Sequence, residues 1–403
     1  MHNQKPRLLC LVPADYAVLK EKGVDHIILE RDENGFFERV ISVHPYAYRN
    51  RCIDLNTIHR VYDFGIDWLN GSRSKALRHL LAPFHLLRTL FRIHRLIRQE
   101  RIDIIRSNDP FLCGLLGLAL KRLNPHVKLC MTIHSDYRHQ ASLDTKNALP
   151  RIFGSRDSLA WWMESFTIRR YPWVFPIRQH LIDDYKKLGF SDTRMAVFPH
   201  GMDFHEIDAI SKEPIETFLP TNRPKHLLSF VGRFVKDNHI YGCLDIARKI
   251  AETRDDFLLV MLGEGLEWES VRQTVAQDPI LQKHVLLCGF QPNILALSLR
   301  KAASVNLSLV GGFSLIEACA SGRPVIAYDV QWHKELIEDG VTGRLFPEGA
   351  VDQVAQAVIE LLDDPKQADR LGKHGRERAI YNHEINHVHT QKTSLFQRVL
   401  DTP

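Results

Sequence analysis

No stretch of this sequence approaches the ~20 consecutive apolar residues that a membrane-spanning helix requires, so a transmembrane chain is not expected. The opening MHNQKPRLLCLVPADY is too polar, and its apolar part too short, for a secretory signal. A cytoplasmic protein is the expectation. CxxC pairs are missing too. The seven cysteines stand singly, at Cys10, Cys52, Cys113, Cys130, Cys243, Cys288 and Cys319. They read as free thiols of a reducing compartment, not as a disulfide framework or a zinc site. HExxH and comparable ligand spacings are absent, so no metal is expected. Charge of one sign is in small excess, +5 over 403 residues. The 44% hydrophobic and 25% charged fractions are those of an ordinary globular protein. The length allows two domains of roughly 150–200 residues each.

The excess charge is unevenly placed. Between residues 71 and 106 stand Arg73, Lys75, Arg78, Arg88, Arg92, Arg95, Arg98, Arg101 and Arg106, against only Glu100 and Asp103. Apolar Leu80, Leu81, Phe84, Leu87, Phe91 and Ile97 recur there near helical spacing. Two readings stand. Residues 73–106 form a basic amphipathic helix resting on an anionic membrane, at its inner face, or a helix whose apolar side belongs to a core. Nucleic acid is not expected as a partner, because the block lacks aromatic interleaving.

Short apolar runs alternate with helical segments along the rest of the chain. Residues 7–12, 103–106 and 127–133 read as buried strands, with a small-residue helix at 112–121 between the last two. Residues 174–176 and 195–198 look like further strands. The second half repeats the pattern, with strands at 226–231, 257–262, 285–288, 303–309 and 324–328 and helices between them. Strand, helix, strand in this order predicts an α/β protein with parallel sheets. Residues 210–225 are polar, contain three prolines and show no sustained period. The expected organisation is a first domain over 1–208, a linker over 209–226, a second domain over 227–385, and a helix at 386–403 packing back on the first domain.

Each strand hands over to a loop at its carboxyl end, where α/β sheets bind ligands. Gly232 and Arg233 directly follow a strand. Glycine lets a backbone approach a diphosphate and arginine can clamp one with its planar fork. Lys236 adds a second charge. Gly311-Gly312-Phe313-Ser314 precede a helix whose first amides can face an anion. Ser314 is expected to be the N-cap, and Glu317 either its capping-box partner or a ligand for sugar hydroxyls. Asp329 and His333 follow a strand end and allow two readings, contact with a bound ligand, or a helix cap at Asp329 with His333 on the surface.

The segments GGFSLIEACASGRPVIAYD and ELIEDGVTGRLFPEG resemble the donor-binding region of the group 1 family of retaining glycosyltransferases. VGRFVKD, FLLVMLGEG, HVLLCGF, MTIHSD and VFPHGMDF resemble other segments of that family in the same order, over about residues 100–365. The resemblance implies the GT-B fold, two Rossmann-like domains facing a central cleft. It implies transfer of a sugar from a nucleotide-diphosphate sugar, UDP or GDP not distinguished, to a glycan or lipid-linked acceptor in polysaccharide biosynthesis, with no cofactor and no metal. Arg233 would bind the diphosphate and Glu317 the ribose hydroxyls. Gly311, Gly312 and Phe313 would face the transferred sugar and its phosphate. Gly263 ends a strand of the site, Gly289 and Phe290 would lie beside the base, and His134 would reach the donor sugar.

The chain departs from the family in three places. The first glutamate of the family's Glu-x7-Glu pair is Leu309 here. The usual lysine five residues after the arginine is Asn238. Pro13-Ala14-Asp15-Tyr16 replaces the glycine-rich loop after the first strand. These departures keep open a nucleotide-sugar-binding protein or partner subunit without catalysis, and a sugar-nucleotide epimerase.

Overall fold

The computed structural model describes residues 5–21, 25–65, 75–135, 137 and 157–402. Arg73 of the basic block, Asp136 and the side chains of residues 75–82 lie outside that description. The chain divides into two compact units, Met1–His200 with Asn386–Pro403, and Gly201–Ile385.

The first unit is built on β1 (Arg7–Leu11), β2 (Arg39–Ala47), β3 (Arg51–Asp54), β4 (His59–Gly65), β5 (Ile104–Ser107), β6 (Lys128–Ile133) and β7 (Val174–Pro176). Their order is β3-β4-β2-β1-β5-β6-β7. All pairs are parallel except β3 with β4. The apolar run of β1 is continuous because both of its faces are covered. Leu9 and Leu11 pack with Ile93, Ile97, Leu116 and Leu120. Leu8 and Cys10 pack on the other side with Phe37, Phe198 and Phe396. Residues 39–65 carry no clean hydropathy signal and still form three strands. Buried His44, His59 and Asp63 interrupt the alternation by which a strand is read. The strand expected at 195–198 shrinks to a single bridge between Val174 and Met195.

The C-terminal helix Ile385–Asp401 closes the second face of this sheet. The Phe396 ring meets Phe37 edge-on at 4.9 Å and Phe198 at 5.8 Å. Trp173 Nε1 donates to Thr402 Oγ1 over 2.7 Å.

The second unit holds β8 (His226–Val231), β9 (Phe257–Leu262), β10 (Val285–Leu287), β11 (Val305–Leu307), β12 (Val325–Tyr328) and β13 (Arg344–Phe346). The order is β10-β9-β8-β11-β12-β13, parallel throughout. Residues 209–226 are not the linker their composition predicts. They contain the helix Glu213–Phe218, whose Ile215 is fully buried. The Ile215 amide donates to Ser298 Oγ over 3.1 Å, and Ser298 Oγ donates to the Lys212 carbonyl over 2.9 Å. Pro214 sits at the start of this helix, and the segment's apolar residues Ile215 and Leu219 dock on the second unit. The chain leaves the first unit at His200 and returns to it at Asn386. No helix among the described residues is long and apolar enough to cross a membrane.

Replacing Phe396 with alanine removes a ring buried among three aromatic and several aliphatic side chains. Chemical denaturation should show a loss of about 3–5 kcal/mol. A loss under about 1 kcal/mol would mean that the helix contributes little to the first unit.

Candidate functional site

In the second unit the chain lays β9 and β10 on one side of β8 and later returns to the other side with β11. Strand order therefore reverses between β8 and β11, and loops leaving two such strands diverge and leave a crevice. The expected phosphate residues follow these two strands.

Three loop ends are packed backbone against backbone. The Gly232 amide donates to the Leu262 carbonyl over 3.0 Å, and the Gly263 amide to the Gly289 carbonyl over 2.8 Å. A Cβ at Gly263 would stand 1.9 Å from the Gly232 oxygen, and φ there is +136°, so only glycine fits. Gly232, Gly263 and Gly289 thus form one layer under the loop that carries Arg233 and Lys236. Asn238 Nδ2 donates to the Arg233 carbonyl over 2.8 Å and closes that loop. Asn238 is therefore a staple, and the cations beside it are Arg233 and Lys236. Both are exposed, and no described side chain pairs with either. Phe290, beyond Gly289, is 73% exposed.

After β11 the chain runs through Gly311 and Gly312 into the helix Phe313–Ala320. The N-cap is Gly312, not Ser314 as the sequence predicts, and no side chain caps the helix. Ser314 lies inside the first turn, its Oγ 2.8 Å from where a Cβ on Gly311 would be. A Cβ on Gly312 would meet nothing within 4 Å. The start of the helix thus stays open on the Gly312 side, with no side chain capping it, as an anion approaching the helix end requires.

The capping box does not form either. Glu317 turns to Arg300, with Nη2 3.5 Å from Oε2. Arg300 is 1% exposed and its Nε has no partner. Burial lowers its pKa below the ordinary arginine value, and the Glu317 charge opposes that shift. The helix Asn293–Ala302 is fixed in turn by Asn306, whose Nδ2 donates to the Arg300 carbonyl over 3.2 Å. Arg300 engages one carboxylate oxygen of Glu317, which leaves the other to accept from a hydroxyl. Leu309, at the position of the family's first glutamate, is buried in the core.

His333 is not a surface residue. It is fully buried. Its Nδ1 lies 2.7 Å from the Tyr328 carbonyl and must carry the proton, so Nε2 accepts from the Gly311 amide at 3.2 Å. Trp332 Nε1 donates to the Gly311 carbonyl over 3.2 Å. Two aromatic side chains thus hold both backbone polar groups of Gly311 in the glycine loop. Asp329 caps nothing and pairs with Lys334 at 2.6 Å; Trp332 is the N-cap of the helix His333–Leu336.

His134 belongs to the first unit, just past β6. Thr132 Oγ1 donates to Asn108 Oδ1 over 3.2 Å, so at 2.9 Å it accepts from His134 Nε2. Burial first, then the positive charges of Arg106, Arg31 and Lys392, pull the imidazole down to about 3. His134 is neutral at physiological pH, with Nδ1 left as an acceptor. In the loop after β1, Asp15 stands in for the missing glycines. Its carboxylate accepts from the Ala17 and Tyr48 amides, each over 2.8 Å.

The structure thus brings Gly232, Arg233, Lys236, Gly263, Gly289 and Phe290 to neighbouring strand ends, and sets Gly311, Gly312, Phe313, Ser314 and Glu317 at the end of β11. His134 belongs to the other unit. Arg300 and Trp332 escaped the reading of motifs, and His333 was singled out without its burial. The trace of Arg300 is its place three and four residues after buried Leu297 and Ala296, an arginine in the apolar stripe of a helix.

Residues 211–378 match the family model described as Glycosyl transferases group 1, and residues 18–206 match the one described as Glycosyltransferase Family 4. Alpha-D-kanosaminyltransferase of Streptomyces kanamyceticus is 21% identical over 253 residues, 60% of this chain and 64% of that protein. The chain so spans less than two thirds of that relative's length. Among solved structures, sucrose-phosphate synthase from Thermosynechococcus elongatus superposes with a TM-score of 0.75 at 18% identity, covering 98% of this chain and 99% of that one. Anabaena HepE in complex with UDP and glucose gives 0.70 at 14% identity, covering 98% and 100%.

If Arg300 orients Glu317, then Arg300→Met should leave the fold intact and weaken nucleotide-diphosphate binding about tenfold, measured by calorimetry. Unchanged affinity would show that Glu317 needs no such support.

Proposed function

Because the chain belongs to the group 1 family of glycosyltransferases, which shares the GT-B fold, we propose that it transfers a sugar from a nucleotide-diphosphate sugar to a glycan or lipid-linked acceptor, with retention at the anomeric carbon. The observation that carries this reading is the crevice between β8 and β11. It combines two unpartnered cations, an uncapped helix start and a carboxylate held by a buried arginine. HepE, which shares the fold, has been solved with UDP and glucose.

Arg233 and Lys236 neutralise the diphosphate, and the amides following Gly311 face the phosphate next to the sugar. This placement stabilises the charge that grows on the leaving group, and no metal is needed for it. Glu317 accepts from the ribose hydroxyls, Phe290 covers the base, and Nδ1 of neutral His134 accepts from a sugar hydroxyl. The bond from the anomeric carbon to the diphosphate oxygen breaks. The acceptor oxygen bonds to that carbon on the same face, and its proton passes to the leaving diphosphate. The products are a glycoside and a nucleoside diphosphate.

Donor incubated with and without acceptor separates the readings. Transfer appears only with acceptor, an epimerase needs none, and a binding protein gives neither product. A thermal-shift screen of uridine, guanosine and adenosine diphosphate sugars identifies the donor. Arg233→Gln should then lower kcat/KM by about 10²–10³, and Glu317→Ala should weaken whichever nucleotide binds. Full activity in both variants would remove the assignment.

The basic helix Lys75–Gln99 supports peripheral attachment to an anionic membrane. Ile93, Leu96 and Ile97 face the core, so Ile97 does not join the outer stripe its spacing implies. Phe84, Leu87 and Phe91 point outward, 66%, 52% and 55% exposed, with Arg88, Arg95 and Arg98 exposed beside them. Aromatic and basic groups on one open helix face fit the headgroup region. The chain should co-sediment with phosphatidylglycerol vesicles, and replacing Phe84, Leu87 and Phe91 together by serine should abolish this. Equal partition onto neutral vesicles would overturn membrane attachment through the basic face.

A further inference from the structure

The first unit has its own reversal of strand order, between β1 and β5, and there it buries cations. Arg31, Arg106 and Lys392 come from three elements far apart in sequence: the 3₁₀ helix Asp25–Asp32, β5 and the C-terminal helix. Each is more than nine-tenths buried. Glu33 is the carboxylate inside the group. It lies 2.9 Å from His389 Nδ1, 3.7 Å from Lys392 Nζ and 4.0 Å from Arg106 Nη1. Glu30, half-buried at the rim, acts on Arg31 and Lys392 through its charge. Positive charge is still in excess, three cations against two carboxylates, one of them peripheral.

The donors are also unfilled. The Arg106 side chain makes no hydrogen bond among the described residues. Its guanidinium lies 5.5 Å from the centre of the Phe198 ring, and its Nε is buried without a partner. Arg31 donates from Nη1 to Ser42 Oγ over 2.6 Å, but its Nε is orphaned as well. A guanidinium offers five donors in a rigid fork, and leaving them empty in a buried place is costly. The chain pays a second cost to bring Glu33 there: Glu33 and Asn34 both take left-handed backbone, at φ 49° and 57°. Excess charge and empty forked donors at a strand-order reversal are what an anion site looks like before its ligand arrives. Part-exposed His134 and His200 stack beside one another next to it, their ring centres 6.4 Å apart.

We propose that Arg31, Arg106 and Lys392 form a phosphate site in the first unit, and that it holds a phosphate ester of the acceptor. The word acceptor rests on the transfer reading above; the phosphate site does not. Phosphate suits the group better than carboxylate, because a dianion matches more than one excess charge and its oxygens fit the arginine fork.

The test is calorimetry on the full chain at low ionic strength, in an Arg233→Gln, Lys236→Gln background so that both exposed cations of the second unit's crevice are removed. Inorganic phosphate and glucose 6-phosphate should bind, and binding should weaken with added salt. Adding Arg106→Gln should weaken both about tenfold or more. Arg106→Lys, which keeps the charge and loses the fork, should fall between, and its melting temperature guards against misfolding. Phosphate affinity indifferent to Arg106, or glucuronate bound as tightly as glucose 6-phosphate, overturns the proposal. Nucleotide-sugar binding by the unmodified chain is scored separately. Its failure would sink the transfer reading and leave the phosphate result standing.

Discussion

The carbonyl oxygen of Gly232 fills the space in which a side chain at position 263 would begin. Because residue 263 has none, the ends of β8, β9 and β10 can close into one hydrogen-bonded layer, through the Leu262 and Gly289 carbonyls. The next residue after that layer is Arg233, which is thereby pushed out of the sheet into solvent. On the other side of the reversal, Gly311 is held by Trp332 and His333 while Gly312 stays open. Backbone packing thus fixes where the cations and the helix start stand, and the side chains need only short reach. A loop with ordinary residues would place the same charges farther from the strand ends.

The two units hold charge in opposite ways. In the second, Arg233 and Lys236 remain solvated, so they cost nothing to keep and a ligand has only to displace water. The buried cation there, Arg300, lies beneath Glu317 and orients it. In the first unit, Arg31 and Arg106 lie under a helix that returns from the end of the chain. Burial and the mutual repulsion of the two guanidinium groups bring Arg31 down to about 10, and burial, with the same positive field, keeps His134 neutral. Buried charge of one sign is rarely a source of stability. Its place at a strand-order reversal is the ground of the phosphate proposal, as the solvated pair is of the donor proposal on the other unit.

Local pattern made much of this visible before any coordinates. Strands β8 to β12 stand within a residue or two of their apolar runs, since a strand covered on both faces must be apolar along its length, whereas the short edge strand β13 was not expected. Gly232-Arg233 and the glycines before Phe313 were legible because the need for a bare backbone is written at the position itself. The cap at Gly312 was not, since Ser314 with Glu317 three residues later satisfies the capping-box pattern and only the distant Arg300 decides against it. Residues 39–65 failed to read as strands because His44, His59 and Asp63 are polar and buried together.

The amino-acid order alone determined an α/β chain with two parallel sheets, the glycine-rich strand ends and the family they resemble, because hydrophobic period and backbone freedom are properties of neighbours in sequence. Only the tertiary structure decided that Ile215 docks where a linker was expected, that His333 is interior, and that Glu33 meets His389 across 356 residues of chain. Such pairs are set by how layers stack. Ion pairs and orphaned donors depend on burial, and burial at one residue is decided by side chains that its neighbours do not reveal.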